Sequence, residues 1–317
     1  MSVVEIENLT KDFSVGFWKK RPLRALDRLS LEVYQGEIFG FLGPNGAGKS
    51  TTIKILMNLL HPTSGNARIL GEPVDRIPMH QRIGYLPENP YFYDYLTPAE
   101  LLTYTGRLFG MRRSELSLKV DGLLESVGLT EARDLQLRKF SKGMVQRIGI
   151  AQALINDPEI VFLDEPMSGL DPLGRMDVRR IITSLKAKGV TVFFSSHVLP
   201  DVEALCDRIA ILNKGKLQEM GALEDLLTVG IEAYEVILSG TRGEALEQIR
   251  KLCDEVGSME DRLRLRVANR ERMEALLDFV FAQKLELISV NPIRPSLEEH
   301  FQSAVGRRRS GALEHGT

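Results

Sequence analysis

Long apolar runs are missing from this 317-residue chain: no stretch approaches the about 18 residues that a helix needs to cross a bilayer. That excludes a membrane span of its own. The first residues carry Glu5, Glu7, Lys11 and Asp12 where a secretory leader would need an apolar core. Cysteine is scarce as well. Cys206 and Cys253 stand alone and far apart without a metal-ligand spacing, which argues against a disulfide framework or a zinc site and fits a reducing compartment. Charge of one sign is also lacking: 41 Lys and Arg against 43 Asp and Glu leave a net charge of −2, so there is no general pull toward nucleic acid. What is present is ordinary for a globular protein, with 43% hydrophobic residues over a length that accommodates roughly two domains.

The most informative segment is Gly43-Pro44-Asn45-Gly46-Ala47-Gly48-Lys49-Ser50-Thr51, a complete GxxxxGK[ST] pattern. Its glycines let the loop turn backbone N–H groups inward around phosphate oxygens, a path that a Cβ would crowd. Lys49 supplies a point charge to the β- and γ-phosphates, and Ser50 offers a hydroxyl to Mg²⁺. The context agrees: Glu37-Ile-Phe-Gly-Phe-Leu42 reads as a buried strand, and Lys49 to Leu60 places Ile53, Leu56, Met57 and Leu60 at helical spacing. A nucleoside triphosphate is the expected ligand, set against the positive N-terminus of that helix.

From Met1 to about Gly221, short β-branched runs alternate with helix-period segments, as in an α/β domain around a largely parallel sheet. Val190 to Ser195 and Arg208 to Leu212 read as core strands, with a helix between them over Val198 to Cys206. Strands vanish between about residues 97 and 137, where Leu101, Leu102, Leu108, Leu116, Val120, Leu123, Leu124 and Val127 outline a helical insertion. After that the pattern changes. Glu235 to Leu238, Arg262 to Val267 and Leu285 to Val290 alternate as half-exposed strands, with helices near Gly243 to Cys253 and Glu271 to Gln283. The expected organisation is a nucleotide-binding domain over residues 1–230, a small α+β domain over 231–305, and a disordered tail over 306–317 in which Arg307 to Arg309 is solvated.

Chemistry beyond binding is written in Ile160-Val-Phe-Leu163 followed by Asp164-Glu165-Pro166. A buried strand delivers two adjacent carboxylates to its C-terminal edge, where open α/β sheets hold substrates. Asp164 is placed to enter a Mg²⁺ shell, and Glu165 to orient or deprotonate an attacking water. Ser195-Ser196-His197 ends the next apolar strand, so His197 can donate to a γ-phosphate; His61, His80, His300 and His315 share no ligand spacing and read as surface residues.

The ordered set of the phosphate loop, Phe140-Ser-Lys-Gly-Met-Val-Gln146-Arg147, Leu163-Asp-Glu-Pro, Ser168-Gly-Leu-Asp171 and Ser196-His197 resembles the ATPase subunit of an ATP-binding cassette (ABC) transporter over about the first 220 residues. The resemblance implies an α/β P-loop ABC ATPase domain with a helical subdomain, plus the small C-terminal α+β domain. It implies ATP and Mg²⁺ as cofactors, catalytic roles for Glu165, His197 and Lys49, and metal contacts from Ser50, Asp164 and Glu88. It also implies a head-to-tail dimer in which Ser141 and Gly143 serve the partner's γ-phosphate, Asp171 as a further nucleotide-binding residue, and adenine stacking on an N-terminal aromatic residue. Phe13 is the best match there, with Phe17 and Trp18 of an insertion over Ser14 to Arg24 as alternatives beside the basic run Lys19-Lys20-Arg21.

Three positions in two motifs depart from the family pattern. Lys142 and Met144 stand where the signature Leu-Ser-Gly-Gly-Gln has a glycine and its glutamine, and Glu88 stands where a glutamine is usual after Ile83 to Pro87. Glu88 adds charge beside Asp164 and Glu165. The helical insertion resembles the region that docks on a membrane partner, with Tyr85, Tyr91, Phe92, Tyr93 and Tyr95 as a groove for a permease helix. The C-terminal stretch ending in Arg294 to Phe301 resembles the extension of ABC-2 exporters. The function so implied is an ATP-hydrolysing subunit at the cytoplasmic face of the cell membrane, driving a separately encoded permease in export, with no nucleic acid. A soluble cassette acting on ribosomes or nucleic acid, and a nucleotide-gated module with little hydrolysis, are the alternatives.

Overall fold

The computed structural model describes residues 1–16, 21–228, 233–239, 244–259, 262–293 and 301. Phe17, Trp18, Lys19, Lys20, the run from Arg294 to His300 and the tail fall outside the described residues. The chain divides into two compact units, one over Met1–Leu223 and a second beginning at Glu224.

The first unit opens with two long strands, β1 (Ser2–Val15) and β2 (Arg21–Tyr34), paired antiparallel with Leu9 opposite Leu29 and Phe13 opposite Leu23. Then come β3 (Ile38–Leu42), α1 (Lys49–Leu56), β4 (Ser64–Ile69), β5 (Glu72–Pro73) and β6 (Ile83–Leu86). The helical segment holds α2 (Pro98–Leu108) and α3 (Arg113–Ser126), followed by α4 (Lys142–Ala153) and β7 (Ile160–Leu163). The remainder is α5 (Pro172–Ala187), β8 (Thr191–Ser196), α6 (Leu199–Glu203), β9 (Arg208–Asn213) and β10 (Lys216–Ala222), after which α7 (Leu223–Thr228) carries the chain into the second unit.

These strands make two sheets. The first is antiparallel in the order β2-β1-β4-β5, and the second runs β10-β9-β3-β8-β7-β6 with β10 alone antiparallel to its neighbour. Every residue of β3, β7 and β8 is buried, as expected of parallel strands covered on both faces. Between the sheets lies a core where Phe193 packs against Phe39, Phe41 and Phe162 with ring centroids 5.5, 5.3 and 5.4 Å apart, and Val4, Ile6, Leu29 and Leu31 close it from the antiparallel side. On the opposite side of β3, a Cβ on Gly40 would come within 2.5 Å of Cys206 Sγ. Only glycine lets α6 and its following turn approach the sheet so closely.

Two local expectations need correction. Helix α1 stops at Leu56 with Met57 as its cap, so Leu60 packs on the core from beyond the helix. α6 covers only Leu199–Glu203 of the span from Val198 to Cys206, because the chain must turn at once into β9. In the helical insertion Leu101, Leu102, Leu116, Val120 and Leu124 are buried, yet Leu108 is 70% exposed at the end of α2. Helix α2 itself is well specified: Pro98 sits in its first turn, and Thr97 and Glu100 exchange a reciprocal capping pair.

The second unit reads β11 (Ala233–Ser239), α8 (Glu244–Leu252), β12 (Glu255–Met259), β13 (Arg262–Val267), α9 (Arg270–Ala282) and β14 (Leu287–Ile293). Its antiparallel sheet has the order β12-β13-β11-β14, a split βαβ arrangement. Val236, Leu238, Leu263, Leu265 and Val267 form the inner face, covered by Ile249, Leu276 and Val280 of the helices. β12 escapes a reading by pattern, because Gly257 interrupts it and its apolar content is low. Among the described residues no helix is long and apolar enough to cross a membrane.

Candidate active site

Parallel pairing levels the ends of the central strands: Leu42 lies beside Ser196, Leu163 beside Phe194, and Leu86 beside Leu163. The loops that leave β3, β6, β7 and β8 therefore open on one edge of the sheet. They carry the glycine-rich loop, Glu88, the Asp164-Glu165 pair and His197 respectively.

Gly48 caps α1 in a left-handed conformation (φ 110°), and a Cβ there would meet the Ala25 carbonyl at 2.7 Å. The next residue is thereby turned into the site. Lys49 is only 5% exposed; its ammonium donates to the Gly43 carbonyl at 2.6 Å and lies 3.1 Å from Glu165 Oε1. Glu165, 7% exposed, meets Nδ1 of His197 with its other oxygen at 2.8 Å. A buried carboxylate is thus matched on one side by an ammonium and on the other by an imidazole, the pairing that makes a buried charge tolerable.

The backbone at Glu165 is itself unusual, with φ at 49°. That conformation costs a non-glycine residue of order 1–3 kcal/mol and persists where neighbours over-determine it. Here the Glu165 N–H donates to Ser195 Oγ at 2.9 Å, and its carbonyl accepts from the Ser168 N–H at 3.0 Å. Ser195 Oγ in turn donates to Asp164 Oδ1 at 2.6 Å, an oxygen that also accepts from Ser50 Oγ at 3.2 Å. Asp164 is 2% exposed and is fixed to β6 by its N–H on the Leu86 carbonyl. Burial and the charge of Asp164 push the nearby Tyr85 phenol up to about 12, so it stays protonated at neutral pH.

A pocket of about 620 Å³ collects Phe13, Asn45, Gly46, Ala47, Gly48, Lys49, Ser50, Thr51, Glu88, Glu165 and His197. Gly43 and Pro44 contribute carbonyls behind it, to Lys49. Phe13 is half-buried with the Lys11 ammonium 5.1 Å from its ring centre. Leu23 and Ala25 also line the pocket and carry no signal in the sequence, and Ser168, the first residue of the Ser168-Gly-Leu-Asp171 motif, joins them. Leu23 arrives there only through its pairing with Phe13 across the β1–β2 ladder. Ser195 was visible beside His197 but its grip on both carboxylate residues was not.

Ser141, Gly143 and Asp171 do not join this pocket. Ser141 caps α4, accepting from the Met144 N–H at 3.3 Å, and Asp171 caps α5, accepting from the Gly174 N–H at 2.9 Å. A second depression of about 430 Å³ gathers Tyr85, Tyr91, Phe92 and Phe109, whereas Tyr93 and Tyr95 lie against each other outside it with centroids 5.7 Å apart. No group of three His, Cys, Asp or Glu that could hold a metal occurs among the described residues.

Comparison with known proteins gives a consistent result. Residues 26–168 match the ABC transporter family model. Over 303 residues the chain is 48% identical to an uncharacterized ABC transporter ATP-binding protein of Synechocystis sp., covering 95% of this chain and 84% of that one. It is 36% identical over 289 residues to the bacitracin transport ATP-binding protein BcrA of Bacillus licheniformis, covering 89% and 93%. Among solved structures, a dimeric post-hydrolysis ATP-binding cassette bound to ADP and Pi superimposes with a TM-score of 0.63 over 69% of this chain and 98% of that one, at 24% identity.

Proposed function

The chain belongs to the ABC transporter family as an ATP-binding, ATP-hydrolysing subunit, and from that premise we propose that two copies close head to tail on ATP to drive a separate integral permease in export. The observation that carries the site assignment is the Lys49–Glu165–His197 chain of contacts inside the pocket lined by the phosphate loop. Lys49 and the loop N–H groups hold the β- and γ-phosphates, which must compete with Glu165 for the Lys49 ammonium. Glu165 orients the attacking water and accepts its proton, and His197 holds that carboxylate through Nδ1 and faces the terminal phosphate. Phe13 and Leu23 receive the adenine ring.

Ser50 Oγ and Asp164 Oδ1 are hard oxygen donors close together at the loop, the donor type that Mg²⁺ takes alongside phosphate oxygens. They would hold the ion, with Glu88 at the same pocket wall. When bound, the ion supplies charge neutralisation to the β- and γ-phosphates.

Ser141 and Gly143 stand at the N-terminus of a 12-residue helix outside their own pocket, which supports their service to the nucleotide of a second cassette. A solved cassette of this fold is dimeric in its post-hydrolysis state, which supports the pairing. The depression lined by Tyr85, Tyr91 and Phe92 receives a cytoplasmic helix of the permease, placing the subunit on the inner membrane face. The export direction is supported by the bacitracin transport relative and by the resemblance of the C-terminal sequence to the extension of ABC-2 exporters.

The test is steady-state ATPase activity beside Glu165→Gln, with light scattering in the presence and absence of Mg-ATP. Wild type should hydrolyse ATP, and the variant should turn over about 10²- to 10⁴-fold more slowly while trapping an ATP-dependent dimer. A variant that stays monomeric with bound ATP overturns the two-cassette reading.

A further inference from the structure

Four residues beyond His197, Asp201 is completely buried, yet nothing in the hydrolysis chemistry uses it. Its Oδ1 accepts from Arg179 of α5, at 2.5 Å from Nη2 and 3.2 Å from Nε. Among the described residues none donates a hydrogen bond to its Oδ2, although Nη1 of Arg175, one turn earlier on α5, stands 3.7 Å away. The same Arg175 donates through Nε to the carbonyl of Leu170 at a long 3.3 Å. Leu170 belongs to the loop that runs from Glu165 to Asp171, the cap of α5. A second anchor lies alongside, since Arg179 also reaches the Pro200 carbonyl at 3.4 Å.

Arg175 therefore stands between two acceptors and satisfies neither at short range. An orphaned oxygen on a buried carboxylate is costly, and a native structure that keeps one has a reason for it. Tightening onto Asp201 Oδ2 would satisfy that oxygen and release Leu170; tightening onto Leu170 would leave the oxygen as it is. The two arrangements differ in the position of the loop over residues 168–171 relative to the chain that carries His197. Ser168 of that loop lines the nucleotide pocket, and Asp171 at its end caps α5.

We propose that Asp201, with Arg175 and Arg179, is a positioning element that couples the 168–171 loop to His197. Movement of the loop when a second cassette presses on it shifts Arg175 from Leu170 toward Asp201. Asp201 lies in α6 and its N–H donates to the carbonyl of Val198, the residue after His197, at 3.2 Å, so the shift is transmitted along that short segment to the imidazole and from there to Glu165. The coupling rests on the two-cassette reading above. It explains why a fully buried carboxylate and two arginines 31% and 33% exposed occupy a junction that apolar residues could fill.

The experiment compares Arg175→Lys and Arg175→Met with wild type, each measured for kcat, KM for ATP, Hill coefficient and melting temperature, and each repeated in the Glu165→Gln background for ATP-dependent dimerisation. Lysine keeps the charge but cannot span both acceptors with a planar fork. The expected result is a kcat reduced about 10-fold or more in both variants, from misplacement of a catalytic group. KM, melting temperature and dimerisation should stay near wild type, and the Hill coefficient should fall toward 1. A milder Asp201→Asn should lower kcat in the same way. Unchanged kcat with intact dimerisation overturns the coupling alone. Loss of kcat in proportion to a lowered melting temperature also overturns it, since that is the behaviour of a structural brace. Absence of a dimer in Glu165→Gln with Arg175 intact overturns the two-cassette reading and the coupling with it.

Discussion

The six-stranded sheet of the first unit and the four-stranded sheet of the second treat charge in opposite ways. In the first unit β3, β7 and β8 are buried at every position, and every buried polar or charged side chain among the described residues, including Lys49, Asp164, Glu165 and Asp201, lies in that unit. In the second unit β13 alternates, with Leu263, Leu265 and Val267 inward and Arg262, Arg264 and Arg266 outward. Its ion pairs, such as Arg272 with Asp254 and Arg270 with Glu274, are exposed. A sheet covered on both faces ends in loops that layers on either side enclose, so its strand ends can hold paired charges away from water. A sheet that leaves one face wet gathers its charges in solvent, where each pair contributes little. The difference separates a site that does chemistry from a unit that folds and presents a surface.

The largest expected effect tests the first half of that contrast. Glu165→Gln should lower ATPase turnover by about 10²- to 10⁴-fold with ATP binding largely intact, whereas Arg266→Gln on the outer face of β13 should leave turnover unchanged; fluorescence binding and phosphate release measure both. Next come the cores. Phe193→Ala should cost about 3–5 kcal/mol in the first unit, and Leu265→Ala about 2–5 kcal/mol in the second. Calorimetry should show the second loss confined to a separate transition, and a single merged transition would blur the distinction between the units.

Thiol reactivity gives a smaller contrast. Burial pushes Cys253 up to about 11 and Cys206 well above its ordinary value. At pH 8 the Cys253 thiolate is then about 100-fold rarer than for a free thiol of pKa 9, and its alkylation should accelerate as pH rises toward 11. Cys206, packed on Gly40, should label only on unfolding, as mass spectrometry after timed alkylation would show. Smallest of all, Arg272→Ala should change stability by about 0.2–1 kcal/mol, read as a slight shift in the denaturation midpoint.

Much of the first unit is legible in the residues because local rules there agree. The glycine-rich loop, the run from Ile160 to Glu165 and the strand ending at His197 each announce themselves by a short apolar run meeting a chemically distinctive residue. The antiparallel β1–β2 sheet is harder to see, since its pairing is broken by several register shifts and its outer positions are mixed. Leu23 is unremarkable as a residue and matters only because Phe13 lies across the ladder from it. Arg175, Arg179 and Asp201 read as ordinary surface charges on two helices until the fold buries the carboxylate between them.

The sequence by itself determined the nucleotide-binding chemistry, because a phosphate loop is a local object: nine consecutive residues from Gly43 to Thr51 carry their own turn, their own N–H groups and their own cation. It also determined which strands are buried, through unbroken apolar runs. Only the tertiary structure decided that Lys49, Glu165 and His197 touch, that Ser195 binds Asp164 and the Glu165 backbone together, and that Asp201 loses its water. Those contacts join residues from separate strands, and their strength depends on exclusion of solvent, a property no single segment possesses until the sheets have closed around it.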